Sequence, residues 1–366
     1  MTSLRILVMT VVHHPLDTRI LVRQIAALLD AGHYVTYAAP FGVVGTEPLA
    51  GVTMIDLPRS TGRKRLAAFR SARRTLRRLA KDHDVVIIHD PELLLAVAGL
   101  RECAVVWDVH EDTAAAVSYK EWVPAKLTRI TSAGVRAVER WAEGRFALLL
   151  AESSYAERFQ LPHPVVPNST LVDRDAPPPG PGRVVCVSTL TRPRGALDLI
   201  EVGRLLRPEG VVVDVIGTAS SDMETALREA DLSGDIRWHG RLPHDQTLQR
   251  LRGATAGLSL LHDERNYRYS HPTKVFEYLA EGLPVIATPL PLVRDIVEGN
   301  QAGIIVPFRD SEAVATAALT LHHDEELRTT LGRNGKDVVQ RMHNWEDDAG
   351  PFVEVIEGVA RAHIRG

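Results

Sequence analysis

The sequence predicts two doubly wound α/β domains joined by a short linker. A chain of 366 residues is too long for one ordinary core, because single domains usually hold about 100 to 200 residues. Short β-branched segments alternate with amphipathic ones along the chain, which is typical of βαβ units around parallel sheets. A proline- and glycine-rich stretch at 175–182 interrupts this alternation and fits neither a helix nor a central strand.

The N-terminal domain is predicted over residues 1–172 and the linker over 173–182. A first strand at 5–10 leads into a helix near 17–31. Further strands are predicted at 34–38, 85–89, 105–108 and 147–151. Since open parallel sheets bind ligands at the carboxyl ends of their strands, polar residues that follow these strands are functional candidates.

The C-terminal domain is predicted over residues 183–344, with helices between its strands. These strands are predicted at 184–188, 211–216, 236–239, 256–261, 285–287 and 304–306. Residues 345–366 are predicted to form a last helix, which either extends this domain or returns to the N-terminal one.

Composition favours a globular protein of a reducing compartment. Apolar residues make up 45% of the chain and charged residues 24%, enough for two buried cores. Cys103 and Cys186 each lie in an apolar run and are interpreted as core thiols, neither a disulfide nor a metal site. The N-terminus resembles no signal peptide, and no stretch reaches the roughly 20 apolar residues of a membrane span. We expect a cytoplasmic protein.

Residues 62–81 form a basic segment with nine basic side chains and no acidic one. Four apolar residues recur in it at helical spacing, namely Leu66, Phe69, Leu76 and Leu79. Either this helix lies peripherally on an anionic membrane, or it is a surface helix whose apolar stripe packs on the sheet. The basic residues for membrane contact are Arg63, Arg70, Arg73, Arg74, Arg77, Arg78 and Lys81. No nucleic-acid partner is expected, because the segment lacks interleaved aromatics.

Residues 269–287 predict a helix start that binds a nucleoside diphosphate. Ser270 can cap the helix and Pro272 suits its first turn, which leaves free N–H groups as a phosphate site. Lys274 adds positive charge, and Glu277 can accept both ribose hydroxyls; a structural lysine–glutamate pair is the alternative. The donor-binding candidates here are Tyr269, Ser270, His271, Pro272, Thr273, Lys274 and Glu277.

The same segment resembles the donor-binding motif of glycosyltransferase family four. In that motif two glutamates separated by seven residues flank a helix start, and a small-residue-Gly-x-Pro-Val strand follows. The second glutamate falls on Glu277, whereas Tyr269 stands at the position of the first. The Ser-x-Pro-x-Lys-x-x-Glu-Tyr sequence at 270–278 looks like a branch of the family.

The resemblance covers nearly the whole chain. Residues 14–20 and 31–35 are similar to the family's first loop, helix and strand, and its paired cleft motifs resemble 89–94 and 107–112. Residues 187–195 look like its phosphate loop. There Arg194 and Gly195 fit, while Ser188 and Thr189 replace the usual glycine and arginine, so Arg192 or Lys274 is expected to supply the missing charge.

The resemblance implies a GT-B fold, in which two Rossmann-like domains face across a cleft. It also implies retaining transfer of a sugar from a nucleoside-diphosphate sugar to an acceptor hydroxyl, in envelope polysaccharide, glycolipid or natural-product synthesis. Arg194 and Lys274 would stabilise the leaving diphosphate, and His110 would bind the donor sugar or diphosphate. The acceptor-side candidates, for which helix capping is the alternative, are Asp17, Arg19, Asp90, Glu92 and Glu111.

No metal or other cofactor is expected, because positive side chains and the helix dipole can balance the diphosphate. Asp173 and Asp175 are interpreted as part of a solvated linker. Two other functions stay open at this point. One is a sugar-nucleotide epimerase on the same fold, and the other is a non-catalytic nucleotide-binding subunit, which Tyr269 and Thr189 make conceivable.

Overall fold

The computed structural model describes residues 3–43, 49–110, 125–264, 267–268 and 273–365. Two compact units divide the chain. The first unit is Met1–Asn168 together with Trp345–Gly366, and the second is Ser169–Asn344. Within the described ranges, no helix combines the length and apolar character needed to cross a membrane.

The first unit contains a six-stranded parallel sheet with the strand order β3-β2-β1-β4-β5-β6. Its strands are β1 (Arg5–Met9), β2 (Tyr34–Ala39), β3 (Val52–Asp56), β4 (Val85–Ile88), β5 (Ala104–Val109) and β6 (Ala147–Leu150). Every residue of β4 and β5 is buried. Such apolar central strands are typical of a parallel sheet covered on both faces.

Helices cover this sheet. They are a π-helix (Thr18–Ile25) that continues into α1 (Ala26–Asp30), then α2 (Arg65–Leu79), α3 (Ala125–Glu143) and the C-terminal α11 (Trp345–Arg365). On α11, Trp345, Phe352 and Ile356 are buried in the same cluster as Ile6 and Val85. The last helix therefore completes the core of the first unit.

Helix α2 carries the apolar stripe of the basic segment. Leu76 is fully buried, and Phe69 and Leu79 pack against the core beneath the sheet, whereas Leu66 is 57% exposed. Three of the four stripe residues therefore pack against the core, as the second interpretation of the segment predicts. The outward face of the helix is basic, with exposed Arg70, Arg74, Arg77 and Arg78.

The second unit contains another six-stranded parallel sheet, with the order β12-β11-β10-β7-β8-β9. Its strands are β7 (Arg183–Val187), β8 (Val212–Ile216), β9 (Arg237–Trp238), β10 (Ala256–Ser259), β11 (Val285–Ala287) and β12 (Gly303–Ile305). Its helices are α4 (Ala196–Leu206), α5 (Glu224–Leu232), α6 (His244–Leu251), α7 (Thr273–Ala280), α8 (Pro291–Val297), α9 (Ser311–His323) and α10 (Glu325–Met342). Two parallel sheets with flanking helices are the architecture predicted from the sequence.

Candidate functional site

A buried lysine marks the start of helix α7. Lys274 is the second residue of the helix and only 9% exposed. Its Nζ donates a long hydrogen bond, 3.4 Å, to Oγ of Ser188, the residue that follows β7. Four candidates just before the helix, Tyr269, Ser270, His271 and Pro272, lie outside the described residues.

Positive charge accumulates around this lysine. Burial lowers the pKa of Lys274, and the charge of Arg194 adds to that effect, while the Cys186 thiol opposes it. Within the described part of the chain, neither Lys274 nor Arg194 is paired with a carboxylate. A buried cation without a counter-charge is costly, so this arrangement favours an anionic ligand.

The predicted phosphate loop forms a 3₁₀ turn at Arg192–Arg194 that ends at Gly195. The φ of Gly195 is +79°, and a Cβ there would lie 2.5 Å from the carbonyl oxygen of Leu260, so only glycine fits. The Arg194 guanidinium lies over the Tyr267 ring at 5.6 Å. This contact restrains Arg194 by a cation–π interaction, whereas Arg192 is exposed.

A histidine–aspartate pair that sequence analysis missed supports the same loop. His262 Nε2 lies 2.7 Å from Oδ2 of Asp198 on α4, and the backbone N–H of His262 donates to the carbonyl of Pro193 at 2.9 Å. The first contact ties the segment after β10 to α4, and the second ties it to the phosphate loop. The available sequence signal was a histidine three residues beyond a buried strand.

The remaining donor candidates of the second unit lie just after β7 and on α7. Glu277 is half-buried and lies three residues after Lys274 on α7. Thr189 and Thr273 are exposed. The next residue on α7, Tyr278, is fully buried; its hydroxyl accepts from the N–H of Val187 at 2.7 Å and donates to a carbonyl of β10 at 3.3 Å. Tyr278 thus fixes α7 against β7 and β10.

In the first unit, Asp108 near the end of β5 organises a second cluster. Its carboxylate is fully buried and accepts from Arg19 Nε at 2.8 Å, Arg19 Nη2 at 2.7 Å and Gln24 Nε2 at 2.9 Å. Burial raises the pKa of Asp108, but the charge and hydrogen bonds of Arg19 outweigh it and hold the pKa well below its usual range. Asp108 is therefore an anion in the folded protein.

Two histidines contact this anion, and a third, His13, contacts one of them. His89 Nδ1 lies 3.1 Å and His110 Nδ1 3.5 Å from Asp108 Oδ2, and His110 Nε2 lies 2.9 Å from His13 Nε2. Burial lowers the pKa of His89 more than Asp108 raises it. Burial also lowers the pKa of His110, but the hydrogen bond and the charge of Asp108 outweigh burial, so the pKa of His110 is raised.

One ligand atom each from His89, Asp108 and His110 lies within 4.8 Å of the other two, close enough for a metal ion. Both oxygens of Asp108 already accept from Arg19, and one of them from Gln24 as well. A cation here would compete with a guanidinium for the same carboxylate, so the geometry fits a hydrogen-bond network better. The expectation that no metal is required stays a prediction.

Two acceptor-side candidates have structural partners in the first unit. Asp90 is fully buried and accepts from Thr10 Oγ1 at 3.0 Å and from the N–H groups of Val11 and Val12, so it shapes the loop after β1. Asp17 caps the π-helix by accepting from the N–H of Arg19 at 2.9 Å and of the following residue at 3.1 Å. Asp17 is therefore a helix cap, which is the alternative to an acceptor-binding role that the sequence analysis gives for these candidates.

The other acceptor-side candidates lie apart from one another or outside the described residues. Arg19 is buried, and besides Asp108 it donates to Asn168 Oδ1 at 2.8 Å. Glu92 accepts from Ser60 Oγ at the surface of the first unit, and Glu111 is outside the described residues. The structure thus gathers His110, Asp17, Arg19 and Asp90 around one loop, and their roles toward an acceptor stay predictions.

Comparison with known proteins gives a family match in the second unit. Residues 181–324 match the family model described as glycosyl transferases group 1. The amylovoran biosynthesis glycosyltransferase AmsK of Erwinia amylovora is 26% identical over 186 residues, which is 49% of this chain and 46% of that protein. The phosphatidyl-myo-inositol mannosyltransferase of Mycolicibacterium smegmatis is 26% identical over 370 residues, which is 94% of this chain and 90% of that protein. The chain thus spans less than half of AmsK.

Solved structures show the same fold over the whole chain. Sucrose-phosphate synthase from Thermosynechococcus elongatus superposes with a TM-score of 0.71 at 18% identity, covering 99% of this chain and 100% of that one. Anabaena HepE in complex with UDP and glucose gives 0.68 at 13% identity, covering 97% and 100%. The fold is therefore that of GT-B glycosyltransferases, and the group 1 match is confined to residues 181–324.

Proposed function

We propose that the chain is a retaining glycosyltransferase that moves a sugar from a nucleoside-diphosphate sugar to an acceptor hydroxyl. The observation that carries this proposal is a pair of cations, the buried Lys274 at the start of α7 and the half-buried Arg194 in the phosphate loop. Lys274 is 9% exposed and lies close enough to Arg194 for that charge to lower its pKa. A diphosphate supplies the negative charge that this pair lacks.

The chemistry follows from where charge develops during transfer. As the glycosidic bond to the diphosphate breaks, negative charge grows on the leaving phosphate, and fixed cations nearby stabilise it. Arg194 and Lys274 have this role in the proposal, with the N-terminal N–H groups of α7 beside them. Glu277 accepts the ribose hydroxyls, and His110 binds the donor sugar or diphosphate. The departing phosphate takes the proton of the attacking hydroxyl on the same face, which retains the anomeric configuration.

The names of the similar proteins guide the choice of substrates. One relative is a phosphatidyl-myo-inositol mannosyltransferase and another an amylovoran biosynthesis glycosyltransferase, and HepE was solved with UDP and glucose. We infer an acceptor in envelope polysaccharide or glycolipid synthesis and a cytoplasmic enzyme. The exposed arginines of α2 support peripheral contact with the inner membrane face.

A ligand screen followed by a turnover assay tests the function. Wild-type protein is heated with UDP, GDP, ADP or TDP, with and without EDTA, and we expect one nucleotide to raise the melting temperature by mass action. The matching sugar nucleotides are then incubated with acceptors, and the anomeric configuration of the product is read by NMR. EDTA is expected to leave both results unchanged.

Other outcomes select other functions. Epimerised or hydrolysed sugar nucleotide without any acceptor product would indicate the epimerase. Nucleotide binding without turnover of any donor would indicate the non-catalytic subunit. A chain that none of the four nucleotides stabilises would contradict the proposal.

A further inference from the structure

Lys274 and Arg194 are both held by neutral side chains. Lys274 Nζ donates to Oγ of Ser188 at 3.4 Å, and the Arg194 guanidinium lies over the Tyr267 ring at 5.6 Å. The nearby Cys186 thiol is no counter-ion, because burial raises its pKa. Across the residues that the structure describes, no carboxylate pairs with either cation.

The hydroxyl of Ser188 is a fixed acceptor directly after β7. It donates its own proton to the carbonyl oxygen of Thr189 at 3.1 Å, which leaves the oxygen lone pairs for the ammonium of Lys274. The backbone N–H of Ser188 donates to the carbonyl of Ile216 at 2.9 Å. Gly217 packs so closely that a Cβ there would lie 1.8 Å from the Ser188 carbonyl oxygen. A flexible lysine is therefore anchored to a residue whose backbone is restrained.

The Tyr267 ring is placed by backbone hydrogen bonds of its own segment. The N–H of Tyr267 donates to the carbonyl of Glu264 at 2.9 Å, and the N–H of His262 donates to the carbonyl of Pro193 in the phosphate loop. A cation–π contact uses the face of a guanidinium and leaves its in-plane N–H groups free. Ser188 likewise engages one of the three protons of an ammonium group. Both cations therefore keep donors for the oxygen atoms of a ligand.

Neutral partners have an electrostatic consequence. Burial lowers the pKa of Lys274, and the charge of Arg194 lowers it further, so the two side chains repel each other when no anion is bound. A carboxylate would restrain them too, but it would cancel the charge that attracts a diphosphate and occupy the same donors. A hydroxyl and an aromatic ring restrain the cations and leave their charge in place.

We propose that Ser188 and Tyr267 are positioning residues of the diphosphate site, which hold Lys274 and Arg194 through neutral contacts and so keep both charges available to the ligand. This inference rests on the proposed function, in which the two cations bind the diphosphate. Restrained cations need no reorganisation as negative charge grows on the leaving phosphate. The side-chain entropy of the lysine is also lost before the ligand binds and not during binding.

The first test uses the ligand-free protein and does not depend on activity. The chain has six lysines, so ¹³C labelling of their ε-carbons gives few NMR signals, and Lys274→Met assigns the relevant one. In wild type we expect relaxation of the Lys274 signal to show a restricted side chain. In Ser188→Ala, which removes the acceptor, the order parameter should fall toward that of exposed Lys64, whereas Ser188→Asn, whose amide oxygen still accepts, should retain the restriction. Equal mobility in wild type and Ser188→Ala would overturn the role of Ser188.

The second test separates restraint from charge by calorimetry with the preferred nucleotide among UDP, GDP, ADP and TDP. Ser188→Asn and Ser188→Asp have the same size and both present an oxygen to Lys274, but only the aspartate cancels its charge. We expect Ser188→Asn to bind within about threefold of wild type and Ser188→Asp about 10-fold or more weakly, with affinity for the free nucleoside unchanged in both. The control Gln249→Glu, an exposed change of the same charge on α6, should bind as wild type does. Equal affinity of Ser188→Asn and Ser188→Asp would overturn the neutral-partner proposal.

The Tyr267 ring is tested with the same nucleotide. Tyr267→Phe keeps the aromatic face and should bind within about twofold of wild type, whereas Tyr267→Leu should bind about 3- to 10-fold more weakly, as expected for loss of a cation–π contact. Equal affinity of these two variants would overturn the role of the ring. If none of the four nucleotides binds the wild-type protein, the proposed function fails, and the lysine mobility still decides whether Ser188 holds Lys274.

Discussion

Gly257 on β10 makes room for the Tyr278 ring of α7, because a Cβ at position 257 would lie 2.3 Å from the ring carbons. Through its hydroxyl, Tyr278 also bonds to Val187 and to the carbonyl of Leu258. The helix that carries Lys274 and Glu277 is therefore held against the sheet by an aromatic ring that needs a glycine beneath it.

Gly257→Ala should consequently destabilise the second unit by about 1 to 3 kcal/mol, the usual cost of overpacking a core. Urea unfolding followed by tryptophan fluorescence measures this. Gly350→Ala is the matched control, since no atom lies within 4 Å of a Cβ at that helical position, and it should leave stability unchanged or raise it by up to about 1 kcal/mol. Equal stability of both variants would show that α7 shifts to accept the methyl group.

Lys274→Met should weaken binding of the nucleoside diphosphate about 10- to 100-fold while affecting the free nucleoside little. The reason is that a charge-assisted contact to phosphate contributes about 1.5 to 3 kcal/mol, and the nucleoside has no phosphate. Calorimetry with both ligands separates the two effects, and Arg194→Met should behave alike. Lys336→Met, which removes a surface contact to the carbonyl of Arg174, is the control. The same loss for both ligands would indicate a damaged domain instead.

Glu277→Gln should remove discrimination between a ribose and a 2′,3′-dideoxyribose. In wild type we expect the dideoxy analogue of the preferred nucleotide to bind about 10-fold or more weakly, since it lacks both hydroxyls that the carboxylate accepts. The variant should bind both forms with similar affinity. Glu298→Gln, at an exposed surface pair with Arg294, should discriminate as wild type does. Persistent discrimination in Glu277→Gln would remove this residue from the ribose site.

Asp108→Asn should destabilise the first unit by about 3 to 5 kcal/mol at neutral pH, because it leaves Arg19 buried without its partner. The folded-state pKa of Asp108 lies well below its usual value. Its contribution is therefore fully present above the unfolded pKa, near 4, and is lost as pH falls through the folded pKa. The difference between wild type and variant in urea unfolding should shrink below about pH 4. The control Asp30→Asn, at an exposed position, should have the same free energy of unfolding as wild type at every pH. If the difference between wild type and Asp108→Asn did not change with pH, the charge of Asp108 would not be its cause.

The two sheets and most of their strands could be predicted from the sequence, because buried parallel strands form short apolar runs. β3 could not, since every residue of Val52–Asp56 is half-buried or exposed and the strand offers no such run. Lys274 and Arg194 could be predicted as phosphate-binding residues from their sequence neighbours alone. Lys274 lies in the first turn of a predicted helix, and Arg194 directly precedes a glycine. Nothing local indicates that Arg19 pairs with Asp108, 89 residues away, or that His13 meets His110, 97 residues away. Such contacts depend on strand order, which the sequence pattern leaves open.

The last prediction concerns the basic face of α2. Leu76 of its apolar stripe is buried, Phe69 and Leu79 pack against the core, and Leu66 is exposed, so any attraction to a membrane must be mainly electrostatic. Basic residues near an anionic surface contribute up to about 1 kcal/mol each, and the attraction extends only about a Debye length, near 10 Å at 0.1 M salt. We therefore expect wild-type protein to sediment with anionic liposomes at low salt, to be released as salt rises, and to ignore zwitterionic liposomes.

Exchanging the exposed Arg70, Arg74, Arg77 and Arg78 for glutamine should abolish this sedimentation. Arg73 is left in place because its guanidinium donates to the carbonyl of Leu95, and its loss would disturb the fold. Since none of the four exchanged residues touches the clusters around Lys274 or Asp108, turnover of a soluble acceptor mimic should stay within about twofold of wild type, as expected for surface substitutions. A wild-type protein that does not sediment with anionic liposomes at low salt would exclude the electrostatic contact, and a water-soluble acceptor would then be the better expectation.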